Sequence, residues 1–93
     1  FVYFDPPYYP LKKNGSFTKY AKGDFLKEEQ RALASVFREL TKNGVLCMLS
    51  NSDCPFIRKL YSGFNIHTVR AKRLINCRSE GRGLINEVVV TNY

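Results

Sequence analysis

Phe1-Val2-Tyr3-Phe4-Asp5-Pro6-Pro7-Tyr8 is the stretch from which the fold is read. Its apolar start suits a short buried strand, and the paired prolines end that strand because neither donates to a ladder hydrogen bond. A second apolar run, Val45 to Leu49, is again too short for a helix and suits a strand covered on both faces. Between the two lies the clearest helical signal. Leu26, Leu33, Phe37 and Leu40 recur at helical spacing within Leu26 to Lys42, with Val36 expected on the same side. Glu28 and Glu29 favour the positive start of the helix dipole, Lys42 favours its end, and Gly44 supplies a stop. Strand, helix and strand in this order predict parallel pairing in an α/β sheet.

Downstream, Ser50-Asn51-Ser52-Asp53 reads as a polar turn that ends the second strand and caps the next helix. Pro55 then stands near the first helical position, Phe56 to Tyr61 forms a short helix, and Gly63 closes it. Ile66 to Ile75 and Glu87 to Tyr93 are expected strands, joined by the basic loop Asn76 to Gly83 as an antiparallel hairpin. Residues 9–24 read as a long loop, a length usual for functional or disordered segments. Ligands of such sheets bind beyond the carboxyl ends of the strands, which puts Asp5 and Ser50-Asn51 at the edge that matters.

Ninety-three residues at 44% hydrophobic content make one small domain or part of a larger one. A strand at residue 1 without an initiator Met points to the second of these. No apolar run approaches the roughly 20 residues that span a bilayer and no signal peptide is evident, so a soluble intracellular protein is expected. Fifteen Lys and Arg against eight Asp and Glu give a net charge of +7, which favours polyanionic partners, nucleic acid first. Cys47, Cys54 and Cys77 match no metal-ligand spacing. Cys47 reads as a core residue, and none of the three is assigned a function.

The chemistry sits in Asp5-Pro6-Pro7-Tyr8. An exocyclic aryl amine is a poor nucleophile because its lone pair is delocalised into the ring. Two acceptors that bond both amine hydrogens favour a pyramidal nitrogen whose lone pair faces a methyl donor. The Asp5 carboxylate and the Pro6 carbonyl suit that pair of roles, and charge-assisted bonds stabilise the positive charge developing on nitrogen. The prolines hold the acceptors in place before a base arrives. Tyr8 offers a ring on which a flipped-out base can stack. The plain alternative is a tight exit from a sheet, with Asp5 capping a turn.

Phe4-Asp5-Pro6-Pro7-Tyr8, Phe17-Thr18-Lys19-Tyr20, Phe25, Leu49-Ser50-Asn51, Val69 to Asn76 with Arg73-Leu74-Ile75-Asn76, and Glu87 to Tyr93 together resemble the Dam-type (D12 class) DNA adenine-N6 methyltransferases. The resemblance runs along essentially the whole chain. It implies a Rossmann-like S-adenosylmethionine-dependent methyltransferase fold, here its carboxyl-terminal half, with parallel strands and a terminal antiparallel hairpin. It also implies S-adenosyl-L-methionine as methyl donor, double-stranded DNA as partner, and direct transfer to adenine N6 with no covalent intermediate and no metal. Asp5, Pro6 and Tyr8 would hold the adenine, Asp5 would also lie near the cofactor, and Pro7 would shape the pocket. A cytoplasmic, nucleoid-associated enzyme of a bacterium, archaeon or phage is implied, in restriction–modification or another role.

The family's glycine loop for the methionine end of the cofactor, its acidic ribose ligand and its target-recognition region are not found in residues 1–93. Residues 1–93 are therefore expected to be a partial catalytic domain, inactive without the remainder of a parent chain. N4-cytosine, RNA or protein methylation, and a non-catalytic nucleic-acid-binding module, stand as rivals.

Phe17 and Tyr20 either line the base pocket or anchor the long loop. Lys12, Lys13, Lys19 and Lys22 either meet phosphates or solvate that loop. The same choice holds for Arg70, Lys72, Arg73, Arg78 and Arg82 near the hairpin, with Asn76 beside them. Asn51 is expected at the pocket edge or as a helix cap, His67 in a structural place on a strand, and Tyr61 and Phe64 in the core.

Overall fold

The computed structural model describes residues 1–11, 26–72 and 84–93. Within them the chain forms β1 (Val2–Phe4), α1 (Lys27–Lys42), β2 (Cys47–Ser52), α2 (Pro55–Leu60), β3 (Asn65–Lys72) and β4 (Leu84–Thr91). The expectations for residues 12–25 and 73–83 lie outside the described residues. They include Phe17, Lys19, Tyr20, Arg73, Asn76 and Arg78.

β1 and β2 pair in parallel, with Val2 beside Cys47 and Phe4 beside Leu49, so the first three elements make the expected β-α-β unit. β3 and β4 pair antiparallel from Asn65 opposite Thr91 to Lys72 opposite Leu84, which is the expected hairpin. The sheet order is β1-β2-β4-β3. The last strand thus enters between β2 and β3 and runs antiparallel to both. A mixed sheet results.

α1 opens with the Glu29 carboxylate accepting a hydrogen bond from the Leu26 amide at 3.1 Å, satisfying one donor that a helix start leaves unpaired. It ends at Asn43. Gly44 follows at φ +79°, a left-handed conformation that a residue without Cβ adopts freely.

The core lies between one sheet face and the two helices. Ala34 and Phe37 of α1, Ile57 of α2 and the following Tyr61 pack against Cys47, Leu49, Val88 and Val90, all fully buried. Phe37 is central: its ring lies 6.2 Å from Phe4, 5.4 Å from Tyr61 and 4.9 Å from Phe64. Cys47, Tyr61 and Phe64 therefore stand where the sequence put them.

Two expectations are corrected. Val36 is 47% exposed, and the buried stripe of α1 is Gln30, Ala34 and Phe37, flanked by Leu33 and Leu40. The apolar pattern mistook a surface valine for core because the real stripe contains a glutamine. Likewise Ser50-Asn51-Ser52 is no turn. β2 runs through all three residues and buries them. A run of polar side chains would ordinarily end a strand covered on both faces, but these are hydrogen-bonded inside the protein, which removes the penalty of burying them. Cys54, not Asn51, precedes α2 and gives it no side-chain cap. Asp53 instead accepts a 2.7 Å hydrogen bond from the Arg58 Nε, and that bond raises the guanidinium pKa further.

Candidate active site

Asp5 follows the last residue of β1, and the motif Asp5 to Tyr8 leaves the sheet at the carboxyl ends of β1 and β2. The structure shows how this proline-rich exit is held. Behind it lies a chain of buried amides. The Gln30 amide nitrogen, on a fully buried side chain of α1, donates to the Pro7 carbonyl at 3.1 Å. The Gln30 oxygen accepts from Asn51 Nδ2 at 3.1 Å. The Asn51 oxygen in turn accepts from the Tyr9 amide at 2.9 Å and the Ser52 amide at 2.7 Å. Ser52 completes the frame, its hydroxyl donating to the Tyr9 carbonyl at 2.6 Å.

The segment is therefore pinned by its backbone at Pro7 and Tyr9. Aromatic contacts add to this. The Tyr9 ring packs at 4.7 Å against Phe56 of α2, and Lys27 and Arg31 of α1 reach over the same Phe56 ring at 5.4 and 5.6 Å. Between the two strands, Tyr3 of β1 and Ser50 of β2 share a hydrogen bond of 2.8 Å between their hydroxyls.

Tyr8 is half-buried, and its hydroxyl donates to Glu87 Oε1 on β4 at 3.1 Å. Glu87 is brought there because β4 lies beside β2, opposite Ser52. The motif is thus tied to α1, β2 and β4 together. Asp5 is exposed and Pro6 half-buried. Neither the Asp5 carboxylate nor the Pro6 carbonyl has a hydrogen-bond partner among the described residues. The neighbouring Pro7, Tyr8 and Tyr9 are fastened by hydrogen bonds, while the Asp5 side chain lies at the surface. Pro7 is exposed at the surface of the turn.

Of the basic residues, Arg70 is exposed on β3 opposite Asn86. His67 is also exposed on β3, opposite Val89. Gln30, Tyr9, Ser52 and Glu87 were not read from the sequence as belonging to a site. One signal for Gln30 was present: it falls on the same helical stripe as Leu33, Ala34 and Phe37, and a glutamine on a buried stripe requires partners. Glu87 had no local signal, since its relation to Tyr8 arises only from the sheet order.

A family model for D12 class N6 adenine-specific DNA methyltransferases matches residues 1–75. The chain belongs to this family. It is 47% identical over 93 residues to the type II methyltransferase M1.LlaDCHI of Lactococcus lactis subsp. cremoris, covering 100% of this chain and 33% of that protein. It is 53% identical over 95 residues to the type II methyltransferase M.MjaIII of Methanocaldococcus jannaschii, again covering 100% of this chain and 33% of the relative. The DNA adenine methylase of Escherichia coli K12 is 32% identical over 88 residues, covering 95% of this chain and 32% of its own length. Residues 1–93 thus span about a third of the length of these relatives. No helix among the described residues is long and apolar enough to cross a membrane.

Proposed function

We propose that the protein of which this chain forms part moves a methyl group from S-adenosylmethionine to the N6 amine of a flipped-out adenine in duplex DNA. The observation that carries this reading is the state of the two acceptors. The Asp5 carboxylate and the Pro6 carbonyl stand at the carboxyl end of β1, on a segment pinned at Pro7 and Tyr9, with no internal partner among the described residues. Acceptors held in place before the substrate arrives lower the reorganisation needed in the transition state.

Asp5 and Pro6 each take one hydrogen of the amine and so turn its lone pair out of conjugation. The Asp5 charge then stabilises the positive charge that grows on nitrogen. Tyr8, its hydroxyl anchored on Glu87, presents its ring to the base, a contact worth about 1–3 kcal/mol. Pro7 stiffens the turn.

S-adenosylmethionine, when bound, supplies an electrophilic methyl group. The donor set here fits one corner of it, with Asp5 as the group on this chain that would lie beside it. The other contacts fall to the remainder of the parent chain. We read the mixed sheet as the carboxyl-terminal half of a Rossmann-like methyltransferase domain, which the β-α-β unit and the motif at the strand ends support. DNA is the partner, consistent with the +7 charge and the exposed Arg70.

The test is methyl transfer from labelled S-adenosylmethionine to unmethylated duplex DNA. It compares the full-length protein, residues 1–93 alone, and the full-length Asp5→Ala variant. Label on adenine N6 that falls by at least about 100-fold in the variant supports the assignment, the size expected for losing a preorganised charged group. Label on cytosine N4 would replace the adenine reading. DNA binding without any transfer would leave a binding module in its place.

A further inference from the structure

Gln30 lies far from Asp5 in sequence, sits on a helix that carries no part of the motif, and is fully buried. Its amide joins the Pro7 carbonyl at 3.1 Å to the Asn51 side chain at 3.1 Å. A glutamine in an otherwise apolar helix stripe is an unusual choice, because burying an amide is costly unless both its ends are bonded. Here both ends are. One end holds the motif and the other holds the strand that supports it.

We propose that Gln30 is a positioning residue for methyl transfer, setting the direction of the Pro6 carbonyl and the Tyr8 ring through the Pro7 peptide. The Pro7 carbonyl belongs to the peptide plane shared with Tyr8, and the Pro6 carbonyl is one peptide earlier. A rotation of the Pro7–Tyr8 plane therefore re-aims both groups. The prolines restrict φ at positions 6 and 7, and Pro7 also holds ψ of Pro6 in the extended range, but ψ of Pro7 is left free. The bond from Gln30 restrains the ψ angle that φ does not fix. The Tyr9 amide, held by Asn51, and the Tyr9 carbonyl, held by Ser52, fix the far side of the same turn. Gln30 thus touches neither base nor cofactor, and acts through Pro7. This inference rests on the proposed methyl transfer and deepens it.

The experiment uses the full-length protein and single-turnover methyl transfer to duplex DNA. Gln30→Met keeps the volume and removes both hydrogen bonds. Its single-turnover rate constant is expected to fall about 10- to 100-fold, the scale of a sub-ångström to 1 Å misplacement of a reacting group. Dissociation constants for cofactor and DNA are expected to stay within about threefold, because the lost contact touches neither. Ala34→Gly loosens the same buried stripe of α1 without reaching the motif. It is expected to lower the melting temperature while leaving the rate constant unchanged. Should Gln30→Met fail to fold, Gln30→Asn keeps an amide that is too short to span from Asn51 to Pro7, and carries the same expectation.

A Gln30 variant that folds and keeps the wild-type rate constant overturns the inference. So does a Gln30 loss matched by Ala34→Gly at equal destabilisation, since the effect would then be stability alone. If the wild-type protein itself transfers no methyl group, the functional reading has failed rather than the role of Gln30.

Discussion

Replacing Asn51 with alanine tests the buried amide frame most directly. The side chain is fully buried and makes three hydrogen bonds: from the Tyr9 amide at 2.9 Å, from the Ser52 amide at 2.7 Å, and to Gln30 at 3.1 Å. Alanine leaves all three partners without it. The Tyr9 amide belongs to a part-buried pair, so its loss costs less than that of a buried one. The Ser52 amide and the Gln30 oxygen are in buried pairs, and each unmet group costs about 1–3 kcal/mol. A loss of about 3 kcal/mol follows, a large part of the roughly 5–15 kcal/mol that holds a typical domain. Ser50→Ala serves as the comparison. It loses one hydrogen bond to Tyr3, a residue 52% exposed whose hydroxyl readily finds water, so its cost should stay under about 1 kcal/mol. Urea unfolding of both variants, with the slope checked against wild type, gives the two values. An Asn51→Ala loss below about 1 kcal/mol, or equal to that of Ser50→Ala, would refute the reasoning. The amide frame would then be incidental to the motif's position.

Further outcomes follow from the same geometry. Tyr8→Phe keeps the ring but loses the bond to Glu87, so methyl transfer should fall less than about tenfold, whereas Tyr8→Ala loses the stacking surface and should fall further; single-turnover assays of the pair separate the two effects. Phe37→Ala empties the place where Phe4, Tyr61 and Phe64 meet and should cost about 3–5 kcal/mol in urea unfolding. Tyr61 has a buried hydroxyl with no partner among the described residues, so Tyr61→Phe should leave stability unchanged or raise it by about 1 kcal/mol. Burial pushes the Tyr61 phenol above its ordinary value of 10.0, so the folded form keeps its proton where the unfolded form loses it. Stability from this source is complete below about pH 10 and declines as pH rises further; the decline should be weaker in Tyr61→Phe, as alkaline unfolding curves would reveal.

The sequence by itself determined the β-α-β start, the short second helix, the final hairpin and the family, through Asp5-Pro6-Pro7-Tyr8 and the ordered motifs after it. These are local features. Apolar spacing, proline's missing donor and glycine at a helix end act over a few residues, and composition exposes them. Tertiary structure alone decided that Ser50-Asn51-Ser52 belongs inside a strand, because a polar residue's place depends on whether a distant partner satisfies it. It likewise decided that Gln30 stands behind the motif and that Glu87 receives the Tyr8 hydroxyl. Gln30 reaches Pro7 by packing across 23 positions of chain, and Glu87 reaches Tyr8 across 79, through the insertion of β4 beside β2. Hydrogen bonds of such separation leave no periodicity in the chain, so only the assembled sheet reveals them.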